Sequence, residues 1–269
     1  VKADHPFPPL AGVSADYNFR LGVPSCVYPA DILPNVEALA PFVDDIEVVL
    51  FESEPLSALP TVETIERLRQ IAQEHALTYT FHLPMDWTLG SPRHNEREAH
   101  QRQIIKIIEL TRPLNPWAYL MHLDGIDPAS DSASIKTWQH MISDLLPAVM
   151  DQVEHPSTLC IENLFYPFAW CDGFLEQFKT GVCMDTGHLE LTGGDVHQHF
   201  RQYADRIRVI HLHGMKNGHD HLPLTVRPAA WLEQFLNSID KFTGVLTLEL
   251  FEVEAVRHSM ERLSQCLRP

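Results

Sequence analysis

From residue 19 onward, short runs of β-branched and apolar residues alternate with longer polar-faced segments, eight times over. The short runs are "FRLGVPSCV", "DIEVVLFE", "LTYTFHL", "AYLMHL", "TLCIEN", "GVCMDT", "IRVIHLHG" and "GVLTLEL", each of strand length. Between them lie segments such as "TVETIERLRQIAQEH", "NEREAHQRQIIKIIELTR", "SIKTWQHMISDLLPAVMDQV" and "AWLEQFLNSID", whose apolar residues recur at three-to-four spacing. Strand alternating with helix implies parallel strands joined by right-handed crossovers. Eight units of roughly 34 residues match a (β/α)8 barrel of about 250 residues better than an open sheet. The expected organisation is an N-terminal lead-in over residues 1–18 and one TIM barrel domain over 19–269.

Alternate residues of a barrel strand point inward or out to the helices, so each run separates into two faces. In "VLTLEL" the leucines Leu246, Leu248 and Leu250 share one face, while Val245, Thr247 and Glu249 share the other. The same division puts Gly181, Cys183 and Asp185 inside, with Cys160 and Glu162, and with Ala118, Leu120 and His122. Continued around the barrel, the count gives Glu52, His82, His122, Glu162, Asp185, His211 and Glu249, one ligand-type residue at the C-terminal end of each strand from the second to the eighth. Barrel active sites lie at that end. Seven carboxylates and imidazoles aimed into one mouth would repel or stay unpaired without cations among them. Mixed nitrogen and oxygen donors suit Zn or Mn, with Fe or Co also compatible, and disfavour Ca or Mg.

A second layer follows the strands. His188 comes three residues after Asp185 in "MDTGHLEL", within reach of the same mouth. In "HLHGMKNGHDH", His213 shares a strand face with His211, and His219 and His221 follow a Gly-containing loop able to fold back over the barrel. Tyr28, Trp87, Phe165, Tyr166, Phe168 and Trp170 fall in loops at the same end and offer faces for a flat ligand.

The 20 basic against 36 acidic side chains, a net charge of −16, argue against a surface that tracks a nucleic-acid backbone. Five scattered cysteines without a C-x-x-C pair do not form a disulfide framework and suit a reducing, cytoplasmic setting. The start of the chain shows no basic-then-apolar leader, and no apolar run approaches membrane-spanning length, so a soluble intracellular protein with no membrane partner is expected. Oligomeric state is left open.

These residues resemble the xylose-isomerase-like barrels, a group that includes the endonuclease IV family of metal-dependent phosphodiesterases and many sugar isomerases and epimerases. The resemblance rests on "FHLP…LGSPR", "MHLDG", "CIEN", "MDTGHLEL", "VIHLHG…HDHLPL" and "LTLEL", in that order. Carried over from the endonuclease branch, His82, His122 and Glu162 would hold a first metal. Glu162 would bridge to a second, held also by Asp185, His211 and Glu249, and His188 and His221 would hold a third. His219 departs from that pattern, standing where the branch has an aspartate. The isomerase branch implies one metal on Glu162, Asp185, His211 and Glu249, so one to three ions per chain are expected. The N-terminal "RLGVPSCVYPADILPNVEALAPFVDDIEVVLFE" resembles the cobamide-remodelling phosphodiesterases of the same superfamily.

The leading expectation is therefore metal-assisted hydrolysis of a phosphodiester, in the nucleotide loop of an adenosylated corrinoid. Glu162 and Glu249 would be the catalytic pair, with Glu52, Trp87, Arg93, Tyr166, Trp170 and His213 facing the substrate and Arg93 on a phosphate. The alternative is isomerisation or epimerisation of a sugar or polyol, with the same two glutamates as acid and base about a C–H carbon. The small-molecule partner is then a corrinoid or a sugar phosphate. Abasic-site endonuclease action shares the site chemistry but stands third because of the −16 charge, and a noncatalytic corrinoid or sugar carrier is a reading of a different class.

Overall fold

The computed structural model describes residues 7–8, 10–13, 15–50 and 59–267. Eight parallel strands close into a barrel in the order β1-β10-β7-β6-β5-β4-β3-β2, with β1 pairing β2 to complete the ring. They are β1 (Arg20–Pro24), β2 (Asp45–Val49), β3 (Thr78–His82), β4 (Ala118–Met121), β5 (Leu159–Glu162), β6 (Gly181–Asp185), β7 (Ile207–Leu212) and β10 (Val245–Leu248). The chain is a single-domain (β/α)8 TIM barrel. The crossovers carry α1 (Ile32–Leu39), α2 (Val62–His75), α3 (His94–Thr111), α4 (Ser132–Met150), α5 (Asp172–Phe178), α6 (Thr186–Leu191), α7 (Val196–Tyr203), α8 (Ala229–Ser238) and α9 (Val253–Cys266).

Helix starts are fixed by side-chain oxygens that accept otherwise unpaired backbone N–H groups. Thr61 caps α2, Asp131 caps α4 and Asp195 caps α7 in this way. The two strand faces separate as the alternation requires. Ala118, Leu120, Cys160, Cys183, Val209 and Val245 form one buried cluster, the filled lumen of the barrel. Tyr119, Met121, Ile161, Met184, Ile210, Leu246 and Leu248 belong to the larger core beneath the helices.

The lumen is closed at its N-terminal end by Trp117 and Arg208. The indole Nε1 donates to the Arg208 carbonyl at 3.2 Å, Arg208 Nη2 donates to the Trp117 carbonyl at 2.8 Å, and the guanidinium lies 4.9 Å from the ring centre. The described part of the lead-in packs on the barrel: Phe7 stacks on Tyr28 at 4.5 Å, and Leu10 is buried.

One element departs from the sequence reading. The segment after His213 is not a loop but a two-stranded hairpin, β8 (Gly214–Lys216) with β9 (His219–Leu222). Its turn residues Asn217 and Gly218 have φ of 55° and 78°. Two successive positive φ values are what a two-residue hairpin turn demands, and Asn-Gly supplies them at least cost. The hairpin is the device that returns His221 to the barrel mouth.

Candidate metal centre

The strand ends bring a dense group of imidazoles and carboxylates together. His82 and Glu162 end β3 and β5, Asp185 ends β6, His211 is the penultimate residue of β7, and His122 and Glu249 directly follow β4 and β10. Glu162 is the hub and is 1 % exposed. Its Oε2 lies 3.4 Å from His82 Nε2, 3.3 Å from His122 Nε2 and 3.8 Å from His211 Nδ1, and its Oε1 lies 3.3 Å from His188 Nδ1. Asp185 Oδ1 accepts the backbone N–H of His188 at 2.7 Å, capping α6 and fixing that histidine at the mouth. Glu249 Oε2 is 3.1 Å from His211 Nδ1 and 3.2 Å from His221 Nε2.

Several ring orientations are set from behind. His82 Nδ1 is 2.9 Å from the Leu83 carbonyl, to which only an N–H can bond, so its Nε2 is the atom free to ligate. His221 has φ of 49°, a left-handed conformation costly for a non-glycine residue, and it is held there by the hairpin. Its N–H donates to His213 Nδ1 at 3.0 Å, the two rings stack at 4.3 Å, and Asp220 Oδ1 lies 3.2 Å from its Nδ1. Because His213 Nδ1 accepts that N–H, the neutral ring carries its proton on Nε2, 3.2 Å from Asp185 Oδ2.

Burial and charge compete at these groups. Burial alone would lower the imidazole pKa values, but the surrounding carboxylates outweigh it. His82 is raised to about 9 by Glu162, Glu47 and Glu249, and His188 to about 10 by Asp185, Glu162 and Glu249. His221 reaches about 9, against its burial, through Glu249, Asp185 and Asp220. His211 is held well above its ordinary value, burial being overcome by Glu249, Glu47 and Glu162 among others. Conversely, burial would raise the carboxyls, yet the imidazoles hold Glu162 and Asp185 well below the carboxylate range and Glu249 at about 2.

These residues fit a divalent cation. Among the described residues, Glu162 Oε2, His122 Nε2 and His211 Nδ1 are buried without a hydrogen-bond partner. They face one another at ion-pair range but not in hydrogen-bonding geometry, which leaves lone pairs converging on the same space. Overlapping groups able to hold an ion are His82, His122 and Glu162, then Glu162, Asp185 and His188, then Asp185, His213, His221 and Glu249, and two that centre on His211. In the third of these, the Nε2 proton of His213 makes it a support for Asp185 rather than a donor to metal. Nitrogen and carboxylate oxygen together suit Zn, Mn, Fe or Co.

Above this floor lies a cavity of about 500 Å³, walled by Met85, Trp87, Leu164, Phe165 and Phe251. Trp87 and Phe165 thus stand where the sequence reading places them. Other expected substrate contacts do not. Arg93 is the N-cap residue of α3, its side chain is 72 % exposed, and it pairs with Glu96 at 2.6 Å, so its guanidinium is spent on the adjoining helix. Tyr166 is buried with its hydroxyl donating to the Leu123 carbonyl, and Trp170 stacks on it at 5.7 Å, so both rings close the β5–α5 connection against α4. Tyr28 is buried under Phe7, with its hydroxyl on the Pro8 carbonyl, and Phe168 packs on His199 and Tyr203. His213 is fully buried behind Asp185 and faces no substrate. His219 is exposed on the hairpin.

The inward face of β2 carries Asp45 and Glu47, the opposite parity to the count that leads to Glu52, and Glu52 itself lies outside the described residues. Glu47 is the contributor that sequence reasoning misses. Strict alternation within "DIEVV" is the signal that marks Glu47.

The profile of the xylose isomerase-like TIM barrel family matches residues 43–266, and the chain belongs to that family. Among solved structures it is similar to a D-tagatose 3-epimerase-like protein, with 19 % identity, 93 % of this chain and 97 % of that one covered, and a TM-score of 0.74. It is also similar to a 3-keto-D-glucoside 4-epimerase from E. coli (16 % identity, 92 % and 98 % covered, TM-score 0.70). A third is a xylose isomerase domain protein from Planctomyces limnophilus (15 %, 93 % and 97 %, 0.70). At such identities the likeness concerns the fold. No relative was found among curated proteins. Among the described residues no helix is long and apolar enough to cross a membrane.

Proposed function

We propose that this chain is a metal-dependent isomerase or epimerase acting on an unphosphorylated sugar or polyol. The observation that carries this reading is the lining of the mouth: no lysine or arginine is among the described residues that form it, while two buried carboxylates, Glu162 and Glu249, meet at its floor on a shared imidazole. A phosphate would find no fixed side-chain cation there beyond the imidazoles. A neutral polyol would find apolar walls and a few polar groups, the usual composition of a small-molecule site. Five of the similar structures are named as epimerases, or as epimerase-like, toward ketoses or a ketoglucoside, which agrees.

Glu162, Asp185, His211 and Glu249 would hold the ion, which supplies Lewis-acid polarisation of a substrate carbonyl. Glu162, kept ionised by its imidazole neighbours, takes a proton from the carbon beside that carbonyl as the C–H electron pair moves toward the carbonyl oxygen. Glu249 is itself held ionised, so the proton delivered to the other face would come from His221 Nε2, 3.2 Å away, with Glu249 Oε2 relaying it. The proton taken by Glu162 would return to solvent as His221 is reprotonated. The apolar walls keep water from the exchanging carbon. The test is incubation with unphosphorylated ketohexoses and manganese or cobalt in deuterated water. Deuterium should enter at the carbon beside the carbonyl, and Glu162→Gln and Glu249→Gln should abolish it. Absence of exchange across ketoses and ketoglucosides would sink the reading.

A second reading, phosphodiester hydrolysis, is favoured by one observation, the surplus of donors: His82 and His122 add a further ion-sized group to the one-metal set. Its corrinoid form loses support from Tyr28, Tyr166 and Trp170, whose rings are turned away from the mouth. Two or more ions per chain together with cleavage of a model phosphodiester would favour hydrolysis.

A further inference from the structure

Glu47 stands in the middle of β2, fully buried in the lumen, and lines no part of the mouth. Its Oε2 lies 2.9 Å from His211 Nε2, the shortest polar contact that ring makes. The opposite nitrogen, Nδ1, faces Glu249 at 3.1 Å and both Glu162 and Asp185 at 3.8 Å. One imidazole therefore spans two compartments, with a single carboxylate below it and three above. The contact at Nε2 is a hydrogen bond, whereas Nδ1 has no hydrogen-bond partner among the described residues. When the ring is neutral, as a ligand must be, Nε2 therefore carries the proton toward Glu47 and Nδ1 the lone pair.

We infer that Glu47 is a positioning residue that fixes the tautomer and ring plane of His211 and so directs Nδ1 at the cation. The inference rests on the reading of His211 as a metal ligand. A cation held on Nδ1 would lie across the ring from Glu47, which would then act through the ring alone, although Glu47, His211 and Glu249 also converge closely enough to form an ion-sized group. A buried ion pair is a poor device for stability, since apolar residues of the same volume often serve as well or better. What a carboxylate behind a ligating imidazole does supply is orientation and added ligand basicity. Glu47 Oε1 has no hydrogen-bond partner among the described residues, so its contact with His211 is not one strand of a wider stabilising network.

Two measurements test this. Manganese affinity is titrated calorimetrically for the wild-type chain, Glu47→Gln and Glu47→Leu. In parallel, nitrogen–proton correlation spectra of the zinc-loaded wild type read the His211 tautomer. Affinity should weaken by about ten- to a hundredfold in both variants while thermal stability is kept or raised. A purely structural role would give the reverse, lowered stability with unchanged affinity, and would overturn the inference. His211 should appear protonated at Nε2 and metallated at Nδ1. Metallation at Nε2, as with an ion lying between His211 and Glu47, also overturns it and needs no variant to fold. A wild-type chain that binds neither metal removes the metal reading and this inference together, whereas tight wild-type binding with unaltered variants removes the inference alone.

Discussion

Loading the site with metal should expel protons, and the number expelled should count the ions. His82 and His221, at about 9, and His188, at about 10, each hold a proton at pH 7 in the metal-free chain, as does His211, held well above its ordinary value. An imidazole must be neutral to ligate, so each one recruited surrenders its proton. Displacing a proton from a group at about 9 when the solution is at pH 7 costs about 3 kcal/mol, or about a hundredfold in apparent affinity. The one-ion set of Glu162, Asp185, His211 and Glu249 contains one of these histidines, and the three-ion set contains all four. Binding one cation should thus release about one proton per chain at pH 7, with affinity rising about tenfold per pH unit. Full occupancy by three would release about four.

The assay is calorimetric titration with manganese in buffers of differing ionisation enthalpy, whose slope is the proton count. Release of no proton at pH 7 would refute the argument, because it requires the liganding imidazoles to be neutral already. The sign of the stability effect follows from the same groups. Their folded pKa values lie above the unfolded value near 6.5, so they stabilise the metal-free chain fully below that pH. The contribution is lost as pH rises through 9 to 10. The metal-loaded chain should not share that alkaline loss.

Asp45, buried in the lumen and pushed by burial to about 7, has a folded pKa above its unfolded one, so its cost appears as pH rises from about 4 to 7. Asp45→Asn should raise stability at pH 8 by up to about 4 kcal/mol in urea melts while leaving it unchanged near pH 3. Gly187→Ala would drive a Cβ into the His213 ring. It should cost about 1–3 kcal/mol and weaken metal binding by displacing the support of Asp185, read by melting and by metal titration. Arg227, buried, holds both Glu190 oxygens at 2.9 Å, donates to the His213 carbonyl and stacks on Trp231. Arg227→Lys should lose about 3 kcal/mol because an ammonium cannot reproduce the planar fork. Arg93→Ala should leave both stability and turnover within error, since its exposed pair with Glu96 contributes little.

Much of this centre is legible in the sequence for a backbone reason. Strand parity is imposed by the pleat, so "VLTLEL" and "GVCMDT" divide into lumen and helix faces without knowledge of the neighbours. The structure places His82, His122, Glu162, Asp185, His211 and Glu249 together at the ends those divisions indicate. Loop aromatics obey no such rule. Tyr166 and Trp87 look alike in sequence, yet one seals a connection through the Leu123 carbonyl and the other walls the cavity. The hairpin was concealed by the brevity of its strands, although Asn217 and Gly218 carried its turn signature.

Glu47 shows the limit of parity when strand length is misjudged. Running β2 through "LFE" moves the inward register off Glu47 and onto Glu52, and the charged residue in the middle of the strand then passes for a surface group. Ending the strand at Val49 restores the inward parity of Asp45 and Glu47, and physics then asks for a partner, since an ionised carboxyl sealed in a packed lumen is untenable alone. That partner, His211, is 164 residues further along the chain and becomes a neighbour only when the barrel closes. A charge at inward parity below the ligand layer is therefore a sequence-level sign of a support beneath a ligand, provided the strand end is drawn first from the turn that follows it and not from the last apolar residue in the run.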